Sequence, residues 1–220
     1  MRIIEFAGLP GCGKSTLCTK LIEQISGKKI YTYKDIVRFV STKNRRRIYG
    51  TLVALNPLRW KFLRLLKRFV KKYKDVSMQA VFILIALYDI TSLLRMNKQC
   101  IVILDEGFVQ NLTSVAHLQQ ISGEKELEEL VACIQAKNQM LIVNCFADED
   151  IVIRRLRQRN GRDRFNSIKD EKQLRAALCT KQNNISFVAQ LFTDKIDICM
   201  NGSTDSALEQ IMKSTDTTRW

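Results

Sequence analysis

The stretch Gly8-Leu9-Pro10-Gly11-Cys12-Gly13-Lys14-Ser15, followed by Thr16, decides the fold of this chain. It fits G-x-x-x-x-G-K-[ST], the pattern of a phosphate-binding loop (P-loop), in which glycines let consecutive backbone N–H groups point at an anion. A mostly apolar run over 2–7 precedes the loop, and Leu17, Leu21 and Ile25 follow it at helical spacing. A glycine-rich turn without a ligand is the alternative, but the strand before the loop and the helix after it favour phosphate binding.

The last two residues of the loop have the side chains that a phosphate site needs. Lys14 can reach the β- and γ-phosphates of a nucleotide, and the Ser15 hydroxyl can bind Mg²⁺. The helix that begins here adds the positive end of its dipole. We therefore predict a site for nucleotide phosphates and Mg²⁺ directly after the first strand.

Five apolar runs separated by helical patterns indicate an α/β domain. They cover 2–7, 29–33, 100–105, 140–146 and 195–200. This alternation is typical of a parallel sheet with helices on both faces, and 220 residues with 46% hydrophobic content suffice for one. We predict a single P-loop domain over 1–213 and a C-terminal tail over 214–220.

Cysteine usage indicates a reducing compartment. The seven cysteines show no C-x-x-C spacing and the chain has one histidine, which argues against a zinc site. Most cysteines lie in apolar patterns, so we expect buried free thiols, as in a cytoplasmic protein. The chain enters a strand at once, so we expect no signal peptide.

The excess positive charge is concentrated in one segment. The net charge is +14, and residues 36–74 contain 13 Lys and Arg but no acidic residue, which leaves 23 basic against 22 acidic residues elsewhere. We predict a basic helical insertion over 36–75. Within it, 58–73 has the pattern of an amphipathic helix with an apolar stripe opposite a basic face.

Several interpretations of this basic segment remain open. Residues 58–74 could contact an anionic membrane, with Trp60, Phe62, Leu63 and Phe69 among the basic side chains. They could bind nucleic acid, which we favour less because few aromatic side chains are available to stack on bases, and Trp60 is the best candidate. The apolar stripe could instead pack on the domain while the charges stay solvated. A polyanionic or lipid-linked substrate held by the segment is a fourth interpretation.

Two further constellations accompany the loop. The apolar run Cys100–Leu104 ends in Asp105 and Glu106, as expected of a strand that places a Mg²⁺-binding carboxylate beside the P-loop, although a strand-end cap would look similar. Residues 154–166 are rich in arginine and predict a mobile lid over the phosphates, with a solvated helix face as the alternative. The predicted lid contacts are Arg155, Arg159, Arg162 and Arg164.

Over its whole length the chain resembles thymidylate kinase-like P-loop nucleoside and nucleotide kinases. The opening strand and P-loop, Leu87-Tyr88-Asp89-Ile90, the run from Arg154 to Phe165, and 196–203 are similar to family elements. The resemblance implies a five-stranded parallel sheet in the order 2-3-1-4-5, an arginine-rich lid that closes over ATP, and an adenine-side loop at Gly202-Ser203. The nucleotide-binding residues predicted in this way are Gly8, Gly11, Cys12, Gly13, Lys14, Ser15, Thr16, Arg155 and Arg162.

The acceptor half departs from the family pattern. Asp105-Glu106-Gly107 replaces an Asp-Arg-aromatic triplet, and 31–35 lacks a Glu-Pro-Gly element, so we expect an acceptor other than dTMP. Asp35 and Glu106 are candidate bases for a hydroxyl acceptor, with a helix N-cap as the other interpretation of Asp35. Asp89 is either an acceptor contact or part of a polar helix face.

We therefore predict an ATP- and Mg²⁺-dependent kinase that acts on a small molecule. The predicted catalytic residues are Lys14, Asp105, Glu106, Asp35, Arg159 and Arg164, and the predicted metal ligands are Ser15 and Asp105. An ATPase or switch coupled to an anionic membrane or to nucleic acid is the alternative, since Glu106 could activate water. The resemblance also allows a homodimer.

Overall fold

The structure contains a five-stranded, all-parallel sheet. It is a computed structural model that describes residues 2–25, 27–41, 57–95, 100–116, 119–121, 123, 125–136, 138–158 and 164–216. The strands are β1 (Arg2–Gly8), β2 (Lys29–Thr32), β3 (Cys100–Leu104), β4 (Gln139–Phe146) and β5 (Asp194–Cys199). Their spatial order is β2-β3-β1-β4-β5, which confirms the predicted α/β architecture and the order 2-3-1-4-5.

Helices connect the strands within the described residues. They are α1 (Lys14–Gln24), α2 (Tyr33–Ser41), α3 (Pro57–Val70), α4 (Met78–Leu94), α5 (Phe108–Val115), α6 (Lys125–Gln135), α7 (Glu149–Gln158), α8 (Glu171–Gln190) and α9 (Thr204–Asp216), with a 3₁₀ helix at Arg164–Ser167. The last helix extends three residues beyond the predicted domain end at 213. The basic helix ends at Val70 rather than at 73.

The directions of the chain crossovers place helices on both faces of the sheet. The connection from β1 to β2 runs one way across the sheet, and the connections from β3 to β4 and from β4 to β5 run the other way. Because parallel crossovers are right-handed, these connections lie on opposite faces. The central strand β1 is therefore covered on both sides, and Ile3, Ile4 and Phe6 have no exposed surface.

The register brings the carboxyl ends of β1 and β3 together. Glu5 of β1 pairs with Leu104 of β3, so the P-loop after Gly8 and the turn at Asp105 start from neighbouring strands. Ligands of open α/β sheets bind at this edge, where strand order reverses. The sheet topology thus positions both predicted phosphate-binding elements at one place.

The apolar stripe of the basic helix α3 packs into the core. Phe62, Leu65, Leu66 and Phe69 are buried, and the Phe62 ring stacks on Tyr88 of α4 with centroids 4.0 Å apart. The expectation that Phe62 and Phe69 contact a membrane is wrong, because burial against the domain is the more favourable place for these rings. The interpretation in which the apolar stripe packs on the domain is confirmed for these four residues. In the described part of the chain, no helix has both the length and the apolar composition to span a bilayer.

Candidate active site

The P-loop adopts a backbone that its glycines permit. Gly11 and Gly13 have φ values of 87° and 106°, in the left-handed region that side chains other than glycine rarely adopt. The Lys14 side chain is only 8% exposed, and its Nζ donates a hydrogen bond to the Leu9 carbonyl oxygen at 3.3 Å. The amine therefore lies inside the loop, close to the N-terminus of α1, where phosphates would bind.

Gly8 is required by the close packing between β1 and β4. A Cβ on Gly8 would lie 2.4 Å from the Cys145 carbonyl oxygen and 2.8 Å from Cys12 Sγ. Cys12 is therefore buried under the loop, and it supports the loop's shape from below rather than presenting its thiol to a ligand. Ser15 and Thr16, in contrast, are exposed in the first turn of α1.

Arg155 of α7 touches the P-loop directly. Its Nη1 donates to the carbonyl oxygens of Gly11 and Cys12, both at 3.2 Å. This residue thus joins the start of the arginine-rich segment to the phosphate site. Arg159 and Arg162 lie outside the described residues; Arg164 begins the 3₁₀ helix, and its side chain lies outside them as well.

A cavity of about 430 Å³ opens beside the P-loop. It is lined by Gly11, Gly13, Thr16, Arg155, Gln158, Met200, Gly202 and Thr204. This volume lies within the range of small-molecule sites. The resemblance implied an adenine-side loop at 202–203, and the structure places Gly202 among the residues that line the cavity. Gln158, Met200 and Thr204 carry no sequence signal of their own, because tertiary contact alone brings them here.

Asp105 and Glu106 follow β3 at the same edge of the sheet. Burial, and to a smaller extent the negative charge of Asp105, raise the pKa of the Cys18 thiol in α1 to about 12. The Asp105 carboxylate therefore lies near α1, the helix that begins at the end of the P-loop. Asp105 is half-buried, and Glu106 is exposed. A hydroxyl from Ser15 and a carboxylate from Asp105 are the hard oxygen donors that Mg²⁺ prefers, so this donor set fits the ion.

Tyr33 is a candidate site residue that sequence reasoning missed. It follows β2 directly, and β2 pairs with β3, so its ring lies next to the turn after β3. Burial, Glu106 and Asp105 together raise the pKa of its phenol. A neutral phenol beside two carboxylates can donate a hydrogen bond to an acceptor. The apolar context of 29–33 hid this role.

Asp35 has a local structural role. Its Oδ2 accepts hydrogen bonds from the backbone N–H and the hydroxyl of Thr32, both at 2.8 Å, and the Asp35 N–H donates weakly to Thr32 Oγ1 at 3.4 Å. This reciprocal arrangement is a capping box. The interpretation of Asp35 as an N-cap is wrong, because Thr32 is the N-cap of α2 and Asp35 is the third residue of that helix. The Oδ2 atom is thus engaged in the cap, and a base role for Asp35 stays a prediction.

Asp89 does not lie on a polar helix face, and its role as an acceptor contact stays a prediction. It is buried, and its two carboxylate oxygens accept hydrogen bonds from Arg59 Nε at 3.0 and 3.2 Å. The pair joins α3 to α4, next to the hydrogen bond from the Tyr88 hydroxyl to the Leu58 carbonyl. Arg59, one of the basic residues of the charged segment, therefore stabilises the fold, because a buried carboxylate needs an oppositely charged partner.

Glu5 is a buried carboxyl group beneath the turn that carries Asp105 and Glu106. Its side chain accepts hydrogen bonds from the backbone N–H groups of Phe108 (2.7 Å) and Gln110 (3.2 Å) at the start of α5. Gly107 leaves room for it, because a Cβ there would lie 2.4 Å from the Glu5 carboxyl carbon. Burial, partly offset by these hydrogen bonds, raises the pKa of Glu5 to about 7. An acidic residue within an apolar run was the sequence signal for this anchor.

We expect Glu5 to make stability fall between about pH 4.5 and 7. The folded-state pKa is higher than the unfolded value of 4.5, so the unfolded chain releases the proton first as pH rises. The shift corresponds to about 3 kcal/mol of unfolding free energy. In urea unfolding, the difference between wild type and Glu5→Gln should change by this amount over the pH window. The exposed Glu23→Gln is the control, and a pH-independent Glu5→Gln difference would contradict the assignment.

Sheet order, P-loop and the carboxylates after β3 together define a P-loop NTPase with a kinase-like fold. A family model described as an AAA domain matches residues 3–180. The chain therefore belongs to this AAA domain family of P-loop proteins. A sequence comparison with curated proteins finds no match.

Solved structures share the fold at low sequence identity. Thymidylate kinase from Candida albicans is 13% identical, with a TM-score of 0.57 over 99% of this chain and 92% of that one. Shikimate kinase from Acinetobacter baumannii is 13% identical, with a TM-score of 0.50 over 100% and 95%. The YorR protein from Bacillus subtilis, in complex with phosphorylated GDP, is 18% identical, with a TM-score of 0.50 over 97% and 95%. The resemblance to P-loop kinases is thus confirmed at the level of fold.

Proposed function

We propose that this protein is an ATP- and Mg²⁺-dependent phosphotransferase that acts on a small-molecule hydroxyl acceptor other than dTMP. One observation carries the proposal. A cavity beside the P-loop, lined in part by Arg155 and Gly202, is large enough for a nucleoside. Tyr33, Asp105 and Glu106 do not line this cavity, and the two carboxylates lie close enough to the Tyr33 phenol to raise its pKa. A cavity for the donor and a separate group of polar side chains for the acceptor suit a kinase. A kinase needs both, and a switch needs only the first.

In the proposed reaction the chain mainly positions charges and a proton acceptor. The loop N–H groups and Lys14 bind the β- and γ-phosphates of ATP. Ser15 and Asp105 would hold Mg²⁺, which would neutralise part of the phosphate charge when bound. Glu106 accepts the proton of the acceptor hydroxyl as its oxygen bonds to the γ-phosphorus. The bond from that phosphorus to the β–γ bridging oxygen breaks, and ADP leaves.

The arginine-rich segment would complete the site over the transferring group. Arg155 already contacts the loop, and we propose that Arg159, Arg162 and Arg164 add charge above it. Guanidinium groups stabilise the charge that spreads over a phosphoryl group during transfer. We also propose a cytoplasmic location, which the seven free cysteines support, although Cys179 and Cys199 are exposed rather than buried as expected.

Label transfer from γ-labelled ATP tests the proposal. Wild type and Lys14→Ala would be given Mg²⁺ and separate pools of nucleosides, nucleoside monophosphates, sugars, lipids and nucleic acid 5′ ends, with water as the control. Label in one pool that depends on Lys14 would support the kinase and define the acceptor class. Lys14-dependent free phosphate that no pool changes would overturn it in favour of an ATPase, which the exposed Glu106 carboxylate could serve.

The two candidate bases can be separated by matched variants. We expect Glu106→Gln to lower kcat for a hydroxyl acceptor by about 10²-fold with little change in KM, because it removes the proton acceptor. Asp35→Asn should leave kcat within about threefold and lower the unfolding midpoint by about 2–4 °C, because it weakens the capping box. The reverse pattern in steady-state kinetics would reassign the base to Asp35.

A further inference from the structure

The outward side of α3 carries a row of basic side chains around one tryptophan. Trp60, Arg64 and Lys67 lie in α3, and Lys71 directly follows its last residue, Val70, with its N–H still bonded to the Lys67 carbonyl oxygen at 3.2 Å. Their spacings of four, three and four residues therefore place them on one side of the helix. Arg64, Lys67 and Lys71 are exposed, and Trp60 is 55% exposed although it is a large aromatic side chain. We call these four residues the basic face of α3.

The opposite side of α3 holds the basic face in a fixed position. Phe62, Leu66 and Phe69 are buried in the core, and the Arg59–Asp89 ion pair ties the start of the helix to α4. The helix therefore cannot turn its apolar side outward to insert into a membrane. What it presents to a partner is a rigid row of positive charges with one aromatic ring.

The three basic side chains of this face have no acidic partner among the described residues. Among the residues that the structure describes, Arg64, Lys67 and Lys71 form no salt bridge, whereas the adjacent Lys72 bonds to Glu126 of α6 at 2.6 Å. Like charges four residues apart, such as Lys67 and Lys71, repel each other and destabilise a helix. An anionic partner would relieve this repulsion, so charge complementarity indicates the partner's sign.

We propose that the basic face of α3 docks on an anionic phospholipid surface, with the Trp60 ring in the headgroup layer. Basic side chains near an anionic leaflet gain attraction, and tryptophan is favoured at membrane–water interfaces. Nucleic acid fits this face less well, because single strands are bound in grooves with several stacking aromatics and this convex face offers one. The interaction goes beyond phosphotransfer, since it determines where the enzyme acts.

Vesicle sedimentation with charge-matched variants tests the proposal. Wild type should bind vesicles of phosphatidylcholine and phosphatidylserine more tightly than phosphatidylcholine alone, and high salt should weaken binding. The double variant Lys67→Gln/Lys71→Gln should lose about 10- to 30-fold in affinity. The control Lys169→Gln/Lys172→Gln changes the same charge at exposed positions elsewhere and should stay within about threefold. An equal loss of vesicle affinity in both double variants would mean that binding does not depend on the basic face of α3, and it would overturn the proposal.

Tryptophan fluorescence tests the orientation independently of affinity. The chain has two tryptophans, so Trp220→Phe leaves Trp60 as the only indole reporter. Anionic vesicles should shift its emission to shorter wavelength, and neutral vesicles should not. Circular dichroism melting would establish that each variant is folded. An unshifted Trp60 spectrum on bound vesicles, or tighter binding to single-stranded RNA or DNA than to anionic vesicles, would overturn the proposal.

Discussion

Replacing Lys14 with alanine is expected to lower ATP-dependent phosphoryl transfer by about 10³-fold, the largest effect of any single substitution on activity. The amine is buried in the P-loop and hydrogen-bonded to the Leu9 carbonyl oxygen, so it is held where the phosphates bind. Loss of one preorganised charge from such a site costs about 10²–10³ in rate, and phosphoryl transfer depends almost entirely on such charges. Initial rates under saturating ATP, with the acceptor class found by label transfer, measure the effect.

A second lysine in the same helix provides the control for Lys14. Lys20 is half-exposed and pairs with Asp205 of α9 at 2.8 Å. Lys20→Ala should keep transfer within about twofold, because a surface ion pair contributes little. Both variants should retain the wild-type circular dichroism spectrum. If Lys14→Ala kept more than about one-tenth of the transfer rate, the P-loop would not be the phosphate site we describe.

Replacing Gly8 with alanine should give the largest loss of stability. The new Cβ would lie 2.4 Å from the Cys145 carbonyl oxygen, a backbone atom of β4 that cannot turn away. Overpacking of this kind costs about 3 kcal/mol, because strands or loop must move apart. We expect the displaced loop to bind nucleotide poorly as well. Urea unfolding and nucleotide titration measure the two effects.

Gly123 is the matched control for Gly8. A Cβ there would meet no atom of the described residues within 4 Å, so Gly123→Ala should change the unfolding free energy by less than about 1 kcal/mol. Lys14→Ala should impair nucleotide binding without a comparable loss of stability, which separates the chemical role of the loop from its packing. A Gly8→Ala variant as stable as Gly123→Ala would contradict the close packing of β1 on β4.

Much of the fold could be predicted because its signals are local. The P-loop is one continuous stretch, and each strand is an unbroken apolar run, so pattern and spacing suffice to find them. The order of the strands came from resemblance to a kinase family, and the structure confirms it. The loop residues from Gly8 to Thr16 and the carboxylates at 105–106 could be predicted from their own local motifs.

The contacts of most isolated polar residues could not be predicted. Asp35 bonds to Thr32, three residues earlier in the chain, whereas Asp89 pairs with Arg59, thirty residues earlier. Tyr33 lay unremarked in an apolar context. Asp89 and Tyr33 depend on partners that are distant in the sequence, so no periodicity could have identified their roles. The pattern Thr32-x-x-Asp35 before the apolar Ile36, in contrast, is that of a capping box and could have been recognised in the sequence.

The sequence by itself determined the class of this protein, the position of its phosphate site and the location of its excess charge. These follow from contiguous motifs and composition, which do not depend on how distant segments meet. Only the tertiary structure decided that Glu5 anchors the turn at Gly107, that Phe62 and Phe69 are buried while Trp60 is exposed, and which residues complete the nucleotide cavity. The reason is physical: burial and hydrogen bonding are properties of what surrounds a side chain, and the surroundings come from other parts of the chain.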